Sequence, residues 1–75
     1  MTELEIKRIA ENADMIVSGY AFSLEGDIVK VLNLNNPKKA IVLSKDGKML
    51  ETSMDDIEVQ VVINYFERNK RFLED

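Results

Sequence analysis

The chain has 75 residues, with ten Lys and Arg against fourteen Asp and Glu, and carries a net charge of −4. It contains no Cys, His or Trp. These absences exclude a disulfide, a Cys/His zinc site, a Cys-His or Ser-His-Asp triad, and a haem held by His or Cys. A chain this short makes one small α+β domain, residues 1–75, with a modest core and little material for a water-excluding pocket. An enzyme is therefore not expected.

The first residues, Met-Thr-Glu-Leu-Glu-Ile-Lys, have neither the basic start nor the apolar centre of a secretory signal. No apolar run approaches the ~18–20 residues that a membrane span needs. The absence of cysteine fits a reducing compartment. A soluble cytoplasmic protein without a membrane partner is the expectation.

In chain order, Thr2 with Glu5 three residues on is a capping-box pattern, and Glu3 and Glu5 favour a helix N-terminus. Ile6, Ile9, Ala10 and Ala13 follow at the spacing of one helical stripe. The spacing predicts a short helix ending near Asn12 or Asp14. Met15 to Leu24 then reads as a strand with Ile16, Tyr20, Phe22 and Leu24 on one side, and Gly19 in its middle suggests a bulge or close approach.

Glu25-Gly26-Asp27 is a turn, and Ile28–Leu34 reads as the return strand of a hairpin. Asn35-Asn36-Pro37 breaks that strand. Lys39–Ser44 and Lys48–Thr52 make a second hairpin around Asp46-Gly47, the strongest turn signal in the chain. Thr52 or Ser53 caps a closing helix, Met54–Leu73, whose first turn holds Asp55 and Asp56.

That last segment is ambiguous by periodicity, because Ile57, Val59, Val61, Ile63 and Tyr65 also alternate as in a strand. Its length without Gly or Pro, its cap and its late Arg68, Lys70 and Arg71 favour helix. The predicted fold is α+β: a short N-terminal helix, a four-stranded mainly antiparallel sheet from two hairpins, and a long C-terminal helix packed on it. The order in which the hairpins pair is left open.

On a helical wheel, Gln60, Asn64, Glu67, Arg68 and Arg71 form one polar arc. The apolar residues around the rest cover more than one sheet face requires. Either the first helix or another molecule must cover the excess. The candidate protein interface is Val59, Val62, Ile63, Phe66, Phe72 and Leu73, with Phe66 as anchor, and the candidate partner is a second copy or a larger protein.

Charge supplies the alternative. Residues 28–50 hold Lys30, Lys38, Lys39, Lys45 and Lys48 against Asp46, while the remainder of the chain is strongly acidic. Such an island is a candidate face for nucleic acid or another polyanion. Lysines on solvent-facing positions and strand edges, where they deter edge pairing, explain it better, and the overall negative charge disfavours nucleic acid. Asp55, Asp56 and Glu58 form the densest acidic cluster, which helix capping accounts for without a metal. The serines have no histidine to activate them. No cofactor is expected.

Overall fold

In the computed structural model, which describes residues 2–73, Thr2 caps α1 (Glu3–Asn12) as the spacing predicts. Its hydroxyl accepts from Glu5 N, and the Glu5 carboxylate accepts from Thr2 N in return. Five strands follow: β1 (Met15–Val17), β2 (Tyr20–Glu25), β3 (Ile28–Asn33), β4 (Ala40–Ser44) and β5 (Met49–Thr52). Each strand pairs antiparallel with the next, in the order β1-β2-β3-β4-β5. The chain closes with α2 (Asp56–Asn69) and a 3-10 turn over Lys70–Phe72. The segment 57–65 is helix.

The sheet has five strands where the sequence predicts four, because the segment Met15–Leu24 folds back on itself. Ser18 and Gly19 both take positive φ, +49° and +82°, and close a two-residue hairpin in which Val17 opposes Tyr20. Both central residues at positive φ is the turn whose twist suits a tight hairpin. The fold-back also corrects the side assignment. Ile16 opposes Ala21 and shares its face, whereas Tyr20, Phe22 and Leu24 point the other way.

The cap of α2 differs from expectation as well. Thr52 is still paired in β5, so it cannot take the helix-start position; its hydroxyl donates to Ala40 O and accepts from Met54 N. The Ser53 hydroxyl donates to Lys38 O and accepts from Ala40 N. These two residues stitch the end of β5 to the start of β4. Asp55 caps instead, accepting from Glu58 N at 2.8 Å, and the helix starts at Asp56 rather than Met54.

One sheet face carries Phe22, Val29, Val31, Ile41 and Leu43, which form the core together with Met54, Val62, Phe66 and Leu73. Each fully buried side chain of this size contributes about 1.5–3 kcal/mol. The register places Phe22, Val31 and Ile41 in one cross-strand row, and Leu24, Val29 and Leu43 in another. At the β4–β5 edge, Val42 opposes Glu51 while Leu43 opposes Met49, which leaves Leu50 as the extra residue of a bulge. The second face is covered differently. Ala21 and Leu32 are buried there outside the main core, and α1 packs against β2. The first helix thus lies on the sheet face opposite α2, not beside it.

Candidate functional site

The polar centre of the molecule lies at the sheet end where β2 begins and β3 finishes. The Tyr20 hydroxyl donates to Glu58 Oε2 at 2.8 Å, and Asn33 Nδ2 donates to the same oxygen at 2.8 Å. The other end of the Asn33 amide accepts from Asn35 N and Asn36 N, turning the chain into the loop before β4. Asn33 therefore ties that loop to the first turn of α2. Gly19 sits against the same loop: Leu34 N donates to Gly19 O, and a Cβ on Gly19 would stand 2.7 Å from Asn35 Nδ2. The positive φ favours glycine there, whereas the exposed Asn35 amide can swing clear of a Cβ.

Burial pushes the Tyr20 hydroxyl up from 10.0 to about 12, helped by its hydrogen bond to Glu58 and by the negative charge there. At neutral pH this phenol is a donor and not a base. The Tyr65 ring lies 6.0 Å from the Tyr20 ring, tilted by 46°. Of the acidic cluster seen in the sequence, Asp55 caps the helix, Asp56 is exposed, and Glu58 accepts from Tyr20 and Asn33. Among the described residues no three acidic side chains converge as metal ligands would.

The five lysines do not share a face. Lys38 and Lys39 lie in the loop before β4, Lys45 and Lys48 flank the turn at the opposite end of β4, and Lys30 is in the middle of β3. A five-residue strand separates the two pairs by about 20 Å. Lys30 is 2.7 Å from Glu25, Lys45 is 3.9 Å from Asp27, and Lys39 Nζ donates to Ser53 O. These contacts fit the reading of edge and solvent lysines.

The candidate interface residues divide. Phe66 is 2% exposed and Val62 is fully buried, both pressed into the core, and Leu73 is buried with them. Val59 and Ile63 are partly buried against the same cluster. The large apolar arc of α2 is thus mostly consumed by its own sheet, and Phe66 is a core residue rather than a surface anchor. Phe72 remains 64% exposed, with the Arg71 guanidinium 5.2 Å from its ring centre. Two residues outside the candidate set join it: Ile57 is 79% exposed and Val61 36% exposed, one turn apart on the same side of α2. Their signal in the sequence is angular: at about 100° per residue Ile57 falls between Asn64 and Arg68 inside the polar arc, and Val61 falls at its edge.

A concavity of about 660 Å³ lies on the sheet face opposite α2. Its floor is formed by Ala21, Leu32, Ala40 and Val42, and α1 walls one side with Arg8 and Ile9. No motif in the sequence marks it, since its small residues come from three separate strands. Among the described residues no helix is long and apolar enough to cross a membrane.

Residues 3–73 match a family described as a family of unknown function, DUF7723. The chain belongs to that family. No curated protein and no solved structure matches it. Membership of DUF7723 thus covers nearly the whole fold, from α1 through the end of the 3-10 turn.

Proposed function

We propose that this DUF7723 chain is a non-enzymatic protein–protein interaction module that binds through the outer side of α2. The observation that carries this reading is the exposure of Ile57 and Val61, one turn apart on a helix whose opposite side closes the core, with Phe72 exposed in the 3-10 turn that follows. Large apolar side chains grouped on one rigid element are the usual content of a binding patch, whereas scattered ones need no explanation. The contact surface is the outward remainder of the α2 apolar arc, with the sheet as its platform. The Tyr20 phenol ties β2 to α2 through Glu58.

The test is site-specific photo-crosslinking in the native cell. A photoreactive residue in place of Val61 is expected to give discrete protein adducts. The same residue in place of Glu67, on the polar arc, is expected to give none. Equal labelling from both positions, or no adduct from position 61, overturns the reading.

A further inference from the structure

We propose that Asp46-Gly47, at the tip of the β4–β5 hairpin, is a site of spontaneous isoaspartate formation, and that the modified turn lets go of α2. Chemistry singles out this bond first. A succinimide forms when the backbone nitrogen after an Asp or Asn reaches that residue's side-chain carbon, and a side chain on the second residue hinders the approach. Asp46-Gly47 is the one place in the chain where Asp or Asn precedes Gly. Asn36 precedes Pro37, whose nitrogen carries no hydrogen, and Asp27 precedes the branched Ile28.

The surroundings of Asp46 supply the second reason. Asp14 is held by Leu24 N, Asp55 caps α2, and Asp56 lies in the first turn of that helix. Asp46 is exposed, and among the described residues it joins neither a side-chain hydrogen bond nor an ion pair. One contact restrains the reaction. Gly47 N donates to Ser44 O at 3.0 Å, so the turn must open before the nitrogen attacks. At an exposed hairpin tip such opening is local and needs less than global unfolding.

In the reaction the Gly47 nitrogen bonds to Asp46 Cγ, and the amide proton leaves with the carboxyl hydroxyl as water. The succinimide then takes up water. Opening at the Cγ carbonyl restores aspartate, and opening at the main-chain carbonyl gives isoaspartate, with one methylene added to the backbone and a free carboxylate beside it. Water is the only co-reactant, and the mass returns to its starting value. The consequence follows from where Gly47 sits. A Cβ on it would stand 2.7 Å from Glu67 Oε1 and 3.3 Å from the Phe66 ring. The turn is closed by Ser44 N donating to Lys48 O and Lys48 N donating to Ser44 Oγ. A longer backbone between Ser44 and Lys48 cannot keep both that closure and the seat of Gly47 on Phe66.

The folded chain, incubated for weeks in neutral buffer, provides the test. Isoaspartyl groups are detected by enzymatic carboxyl methylation from S-adenosylmethionine and located by tandem mass spectrometry. The expected signal grows with time and maps to Asp46. Asp46→Glu should abolish it, because the extra methylene disfavours ring closure, and Asp46→Asn should raise it, because ammonia leaves more readily. Modified molecules, separated by chromatography, should melt below unmodified ones and exchange the Gly47 and Lys48 amides faster. No signal at Asp46 in the folded chain overturns the site; if a peptide of residues 42–51 does acquire it, the closed turn is the shield. A larger signal at any other Asp or Asn also overturns it. Equal melting of the two forms overturns the release of α2.

Discussion

The two helices begin alike and are held differently. α1 has the fuller cap, with Thr2 and Glu5 satisfying one another's backbone, yet it contains no buried residue. α2 is capped by Asp55 alone and contributes Val62 and Phe66 to the core. Caps and charge decide where a helix starts, at about 1 kcal/mol each. Burial decides which helix the sheet depends on, and a single core phenylalanine outweighs a full capping box several-fold.

The largest way to break this contrast is Phe66→Ala. It should cost about 3–5 kcal/mol, a large share of the roughly 4–11 kcal/mol that a chain of this length holds in total. Urea unfolding should then show a midpoint near zero denaturant. Ile9→Ala on α1 should cost about 1 kcal/mol, since Ile9 is only half-buried. Comparable losses for the two variants would show that the second sheet face matters as much as the first.

Tyr20→Phe is the next test, aimed at the point where α2 is tied to β2. A hydrogen bond to a charged group contributes about 1.5–3 kcal/mol, and the low end applies here because Asn33 still donates to Glu58. The bond also makes stability depend on alkaline pH. The folded phenol titrates at about 12 and the unfolded one at 10.0, so the unfolded chain loses its proton first. This contribution is complete below pH 10.0 and is lost as pH rises to about 12. Melting midpoints across that range should fall for the native chain and fall less for Tyr20→Phe. Parallel curves would show that Tyr20 does not carry the dependence.

The smallest effect belongs to Thr2→Ala. Removing the cap should loosen α1 by about 1 kcal/mol, visible as faster amide exchange over residues 3–12. The global unfolding midpoint should barely move, because α1 buries no residue. A shift as large as that of Tyr20→Phe would mean that α1 unfolds together with the core.

Much of the fold is legible in the sequence. The capping box, the break at Asn35-Asn36-Pro37 and the Asp46-Gly47 turn are local signals and lie where the sequence places them. The polar arc of α2 is exposed at all five of its positions, Gln60, Asn64, Glu67, Arg68 and Arg71. The Ser18-Gly19 hairpin was not legible, because β-forming residues on both sides disguise the turn as one continuous strand. Of the six candidate interface residues, only Phe72 is exposed. A helical wheel shows that an apolar arc is wide, but which part of it a sheet covers depends on where the strands lie.

By itself the sequence determined the class of the fold and its punctuation, since caps, turns and periodicity act between residues a few positions apart. It also determined that α2 begins on acidic residues, Asp55 and Asp56. The tertiary structure alone decided that Phe66 faces inward while Ile57 and Val61 face outward, and that Glu58 meets Tyr20 and Asn33 from separate strands. It likewise placed two lysines at each end of β4 and left Lys30 in the middle of β3. The physical reason is common to all three. Strand pairing sets which distant residues become neighbours, and that register is a property of the whole sheet, not of any segment within it.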